Sequence, residues 1–264
     1  MKQIECIIMD WAGTAIDYGC FAPVAAFVDS FKVLGAPVTP EETRQHMGLT
    51  KIEEIRALFA IPHVAADFRK ENGHDCSEAD VQNCYEHFQK ALFTTLESYA
   101  VPIPDVVETV AKLRADGIKV GSTTGYTRPM MDIVMPAAAN LGYTVDHCAT
   151  ADGKPGGRPK PYMIYENLCR LDVSCRRSAI KVGDTIADIR EGVNAGTWSV
   201  GVLLGSNELG LTQQETAAMA PAELSSRMAG ARWNMLAAGA DYVIDSIAQL
   251  PQLIKCVNER MALD

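Results

Sequence analysis

The chain has no CxxC pair, although it carries 8 cysteines, and they are scattered along its length. That spacing argues against a zinc framework or a disulfide scaffold and fits reduced thiols. No apolar run reaches the length needed to cross a membrane. The first residues lack the charged region, apolar stretch and small-residue cleavage site of a signal peptide. A cytoplasmic protein is therefore expected. Positive charge is scarce, with 24 Lys and Arg against 33 Asp and Glu, a net charge of −9. This argues against a nucleic-acid or anionic-membrane surface. An anionic substrate would need local cations to offset the field. No internal repeat or low-complexity segment occurs, and no GxGxxG follows the first strand, which argues against a dinucleotide site.

At 264 residues, with 48% apolar and 22% charged residues, the chain can bury a sizeable core as one large domain or two modest ones. It is organised around IECIIMDWAGTAIDY, residues 4–18. The apolar run from Ile4 to Met9 reads as a strand buried on both faces. It stops at Asp10, with a small-residue turn behind it, where open α/β sheets place their ligands.

From residue 20 to about 99 the periodicity is helical and no strand is evident. Helices are predicted over residues 21–35, from the Thr39-Pro40-Glu41-Glu42 capping signal, over Lys51 to Phe59, and from Ser77 to about Leu96. The linker AVPIP, residues 100–104, returns the chain to an α/β rhythm, with strands predicted at 119–122, 147–151, 178–182, 198–204 and 241–244 and helices between them. The expected fold is a doubly wound parallel sheet, residues 1–19 plus 100–264, with an all-helical cap, residues 20–99, above its carboxyl edge.

Four strand ends carry polar chemistry: Asp10; Thr124 with Gly125; Arg158 with Lys160; and Asp184 with Asp188. Singly, each reads as a cap, a turn or a solvated charge. Together they make a carboxylate nucleophile, a hydroxyl and backbone N–H groups for phosphate, a fixed cation, and acids suited to a divalent metal. DxxGT, GSTTG, the Arg158 loop and GDTxxD resemble the four motifs of the haloacid dehalogenase superfamily of aspartate-nucleophile phosphotransferases. A narrower resemblance spans nearly the whole chain. DWAGT, DYGCFAP, MGLxK, GSTTGYTR, GRPxP, KVGDT and NAGxWxVGV are similar to the phosphonatase family, which hydrolyses a carbon–phosphorus bond.

Two features fit that branch. Ordinary phosphatases of the superfamily place an acid two residues after the nucleophile, to protonate a leaving alcohol. Here that residue is Ala12. Lys51, preceded by Gly48, could form an iminium with an aldehyde, an electron sink for the carbon left when phosphorus departs. The resemblance implies Asp10 and Lys51 as the catalytic pair. It implies Mg2+ on Asp10, the Ala12 carbonyl and Asp184, and a small phosphonate held by Thr124, Gly125 and Arg158. Cys20, Met47 and Tyr126 would line the pocket, and Asp188 would orient the acidic loop. It also implies a homodimer through the cap, where Phe21, Phe27 and Phe31 offer apolar surface that could equally be internal core. The sequence departs from the phosphonatase pattern at Glu54, where histidine is usual, and at His46, where proline is usual. Either could be the proton shuttle. Rival readings are a phosphomonoesterase of the same superfamily and a non-catalytic phosphonate sensor.

Overall fold

In the computed structural model, which describes residues 3–263, six strands run parallel: β1 (Cys6–Met9), β2 (Lys119–Thr123), β3 (His147–Ala149), β4 (Ala179–Gly183), β5 (Trp198–Val202) and β6 (Tyr242–Ile244). Their spatial order is β3-β2-β1-β4-β5-β6. The doubly wound parallel sheet expected from the sequence is thus the observed one. β1 lies where the order reverses, and the register pairs Met9 with Ser122 of β2 on one side and Val182 of β4 on the other. The chain segments leaving these three strands therefore meet at one crevice.

The β1 sequence carries no polar alternation because both faces are covered. Cys6 and Ile8 pack among Ile164, Leu168 and Ala195. Ile7 and Met9 belong to the large cluster on the opposite face, with Val106, Val110 and Val257. Successive side chains point to opposite faces, so an apolar residue at every position gives each helical layer its own contact.

Seven helices stand between β1 and β2, and the first six follow β1 in succession: α1 (Phe21–Val33), α2 (Pro40–Arg44), α3 (Lys51–Phe59), α4 (Pro62–Asn72), α5 (Glu78–Phe93) and α6 (Leu96–Tyr99). α2 and α3 begin at the capping boxes Thr39–Glu42 and Thr50–Glu53. The sequence reading assigned no separate helix to the α4 stretch, which starts at Pro62, where proline suits a first helical turn. The long helix expected to reach Leu96 ends at Phe93. There the Thr94 and Thr95 hydroxyls donate back to the carbonyls of Ala91 and Leu92. Phe27 and Phe31 are fully buried; Phe27 stacks on Phe88 at 4.3 Å and Phe31 meets Phe59 at 4.7 Å. These two rings are internal core, and of the three phenylalanines only Phe21 is partly exposed.

The remaining helices are α7 (Val106–Ala115), α8 (Arg128–Asn140), α9 (Tyr162–Arg170), α10 (Ile186–Ala195), α11 (Gln213–Ala218), α12 (Pro221–Ala237) and α13 (Leu250–Leu263). α10 starts two residues before the expected Asp188, because Thr185 and Asp188 form a reciprocal capping box. No described helix is long and apolar enough to cross a membrane.

Candidate active site

The crevice between β1, β2 and β4 opens into a small cavity. Asp10, Ala12, Thr124, Gly125, Arg158 and Thr185 border it from the sheet side. Cys20, Pro23, Met47, Gly48, Lys51 and Tyr126 complete its lining. The strap between α2 and α3 is pressed against the sheet loops through two glycines. A Cβ on Gly48, whose φ is +96°, would lie 2.4 Å from Thr185 Oγ1, and one on Gly125 would lie 2.7 Å from the Leu49 carbonyl oxygen. Any side chain at either position would force strap and sheet apart.

Asp10 is buried at the end of β1, and its Oδ1 accepts from Arg158 Nη2 at 2.6 Å. Arg158 is itself buried and makes more contacts than a substrate clamp alone would need. Nη2 also donates to the Thr123 carbonyl at 2.8 Å and to Thr123 Oγ1 at 2.9 Å. Nη1 lies 3.0 Å from Asp188 Oδ1, and Nε donates to Glu191 Oε2 at 3.1 Å. Arg158, expected on substrate oxygens, borders the cavity and is also held by protein groups that brace it against Asp10. Asp188 faces Arg158 and Lys181, the latter at 2.7 Å, and closes the α10 cap through Thr185. Lys181, Glu191 and Thr123 were not singled out from the sequence.

Asp184 is fully buried; Thr14 Oγ1 and the Asn207 backbone N–H donate to it, each at 2.8 Å. Burial first, then repulsion from Asp10 and Asp188, push its carboxyl well above the usual range. Carboxylate oxygens of Asp10, Asp184 and Asp188 lie within 4.8 Å of one another. Such a cluster fits an oxygen-seeking cation, whose charge would relieve that repulsion, so the donor set can hold a metal ion.

Across the cavity, Lys51 and Glu54 are both buried on the first turn of α3. Lys51 Nζ donates to Glu54 Oε2 at 2.9 Å and Oε1 at 3.1 Å, and Glu54 also accepts from the Gly48 N–H at 2.9 Å. Phe27 and Tyr126 flank the ammonium, with ring centroids 5.4 and 5.8 Å away. Burial dominates at Glu54 and carries its pKa from 4.5 to about 7, against the opposing pull of Lys51. Burial likewise pushes the Cys20 thiol and the Tyr126 phenol upward, so both are neutral near neutral pH. Thr124 Oγ1 accepts from the Tyr126 N–H at 3.0 Å and fixes the turn after β2. His46 stands apart: it is half-buried in a separate surface depression with Arg190 and Glu208.

A further residue organises the approach to α1. Asp17 takes a left-handed conformation, and its carboxylate accepts from the Phe21 and Ala22 N–H groups, each at 3.0 Å. It thereby satisfies two free donors at the helix start.

The haloacid dehalogenase-like hydrolase family profile matches residues 4–196. The chain is 55% identical over 261 residues to a phosphonoacetaldehyde hydrolase of Bacteroides fragilis, covering 99% of each chain. It is 48% identical to one of Bacillus cytotoxicus, covering 98% of each. Among solved structures, a phosphonoacetaldehyde hydrolase-like protein from Oleispira antarctica superposes with a TM-score of 0.96 at 39% identity, over 98% of this chain and 94% of that one.

Proposed function

Since the chain belongs to the haloacid dehalogenase-like hydrolases and, within them, to the phosphonoacetaldehyde hydrolases, we propose that it cleaves the carbon–phosphorus bond of phosphonoacetaldehyde. The products are acetaldehyde and phosphate. The observation that carries this reading is a single cavity bordered by Asp10 and Lys51, with alanine at position 12. An alcohol leaving group would need an acid there, whereas a carbon leaving group needs an electron sink.

In this mechanism the Lys51 amine gives its proton to Glu54, attacks the aldehyde carbon and loses water to form an iminium. Asp10 then attacks phosphorus. The carbon–phosphorus pair moves into the iminium as an enamine while the aspartyl phosphate forms. Protonation of the enamine carbon and addition of water release acetaldehyde and free Lys51. A second water hydrolyses the aspartyl phosphate. Arg158 holds Asp10 in position for attack and offsets its charge. Thr124 and the Gly125 N–H receive phosphonate oxygens. Met47, Cys20 and Tyr126 keep the aldehyde end dry, and Glu54 takes the shuttle role at the position where histidine is usual.

Asp10, Asp184 and the Ala12 carbonyl would hold Mg2+, which supplies charge neutralisation at the phosphonate when bound. Residues 20–99 serve as a cap over a core of residues 1–19 and 100–264, and the protein works as a cytoplasmic homodimer. A coupled acetaldehyde assay on phosphonoacetaldehyde, with and without Mg2+, tests the reading. No acetaldehyde with metal present, or faster release of an aryl alcohol from a generic aryl phosphate, would overturn it.

A further inference from the structure

Beneath the nucleophile lies a buried polar cluster larger than the reaction requires. It holds four carboxylates, Asp10, Asp184, Asp188 and Glu191, and two cations, Arg158 and Lys181, each no more than 5% exposed. Lys181 sits inside β4, where its Nζ donates to Thr123 Oγ1 at 2.9 Å and lies 2.7 Å from Asp188 and 3.5 Å from Glu191. Thr123 Oγ1 donates in turn to Glu191 Oε2 at 2.9 Å. Glu191 Oε2 thus meets Thr123, Arg158 and Lys181, while its other oxygen, Oε1, is buried with no hydrogen-bond partner. A wholly buried, half-satisfied carboxylate is costly, and an apolar residue on α10 would fill the space without that penalty.

From this geometry we infer that Lys181 and Glu191 are positioning residues that set the charge of the cluster and lock Arg158 against Asp10. With every group ionised, four carboxylates against two cations leave a net charge of −2, which one divalent cation balances. Neither residue borders the substrate cavity, so both act through Arg158, Asp188 and Thr123. The inference rests on the reading of the acidic cluster as a metal site, but it assigns roles to two residues outside that site's ligands.

Titration calorimetry of chelator-treated protein with Mg2+ alone tests it, with folding checked by thermal unfolding. Glu191→Gln reduces the cluster to −1 and should weaken Mg2+ binding about tenfold or more. Lys181→Gln takes it to −3 and should tighten binding by about a similar factor. The double variant returns the charge to −2 and should bind within about threefold of wild type, whereas packing damage would accumulate. Lys181→Arg, which keeps the charge, should bind Mg2+ like wild type. Borohydride trapping of the substrate on Lys51 should be unchanged in all four variants. If both single variants weaken binding, or the double variant binds worse than either, the inference fails while the metal reading survives. A wild-type protein that binds no Mg2+ would overturn the metal reading itself, and with it this inference.

Discussion

Glutamine at position 54 would keep the shape of the glutamate side chain and remove its charge. The consequence follows from a 2.9 Å contact between two buried groups. At that distance, with an effective dielectric constant near 20, the attraction is about 6 kcal/mol before desolvation is counted. Burial more than offsets it, which is why Glu54 titrates at about 7 and not in the usual carboxylate range. Above that pH the carboxylate is ionised and can take the proton Lys51 must lose before attacking an aldehyde. Below it, Glu54 is already protonated and no acceptor remains beside the amine. Wild-type kcat/KM should therefore fall on the acid side with an apparent pKa near 7, a value that belongs to the pair. Glu54→Gln leaves no titrating acceptor there, so it should remove that limb and lower the plateau about 10²–10⁴-fold, the usual contribution of a positioned acid–base group. Glu54→His should retain an acid limb close to the wild-type one and recover part of the plateau, since imidazole titrates in the same region. The assay is kcat/KM for phosphonoacetaldehyde from pH 5.5 to about 9 for all three proteins. Superimposable profiles would refute the reasoning: Glu54 would then be a structural partner of Lys51 with no part in proton transfer.

Asp10→Asn should abolish phosphate release yet still allow borohydride to trap substrate on Lys51; near-normal turnover would exclude the aspartyl-phosphate route. Lys51→Arg should be inactive and untrappable, because a guanidinium cannot serve as the amine, and peptide mass mapping of the wild-type adduct should find Lys51 alone. Gly48→Ala should lower kcat/KM, since the new Cβ meets Thr185 Oγ1 at 2.4 Å; unchanged kinetics would show that the strap tolerates a wider gap. Burial raises the Asp17 pKa from 3.8 to about 6. The folded state therefore binds more protons between those values, and this group's contribution to stability, full below the unfolded pKa, is lost as pH rises through about 6. Between pH 5 and 8 that loss is about 1.4 kcal/mol, so Asp17→Asn should shrink the pH dependence of denaturant unfolding by about that amount.

The sheet was legible because a strand buried on both faces reads as an unbroken apolar run, and CIIM, residues 6–9, has no other sensible reading. α3 was legible to the residue because Thr50 and Glu53 form the capping box that starts it. Glu54 stands three residues after Lys51 on one helix, a spacing that puts both on one face, and the two side chains touch. His46 was the other candidate shuttle, but it lies outside the Lys51 cavity, since strap conformation and not sequence distance decides which way it faces. The layer under Asp10 was not legible. In AIKVG, residues 179–183, a lysine reads as a polar interruption of a strand. In α10, Glu191 reads as one more solvated helix charge. Their partner Thr123 is 58 residues from Lys181 and 68 from Glu191, so only the sheet register reveals that these residues meet.

That register divides the charges of the site into two compartments. The sheet side carries an excess of buried negative charge around Asp10 and Asp184. The other side carries the internally matched Lys51–Glu54 pair, shielded by Phe27, Met47 and Tyr126. A substrate with a phosphonate at one end and an aldehyde at the other satisfies both compartments only in one orientation. With the groups reversed, the phosphonate would displace Glu54 from Lys51 and leave a carboxylate and a dianion in the same apolar space, whereas on the sheet side a divalent cation held by the acidic cluster would offset the phosphonate's charge. Unpaired buried charge of this kind costs several kcal/mol. The proposed mechanism needs the same orientation, because in it Asp10 must reach phosphorus while Lys51 holds the aldehyde carbon, one atom beyond the carbon–phosphorus bond. One division of charge therefore favours the pose in which the nucleophile faces phosphorus and the amine faces the aldehyde carbon, whose iminium would take up the electrons of the broken bond.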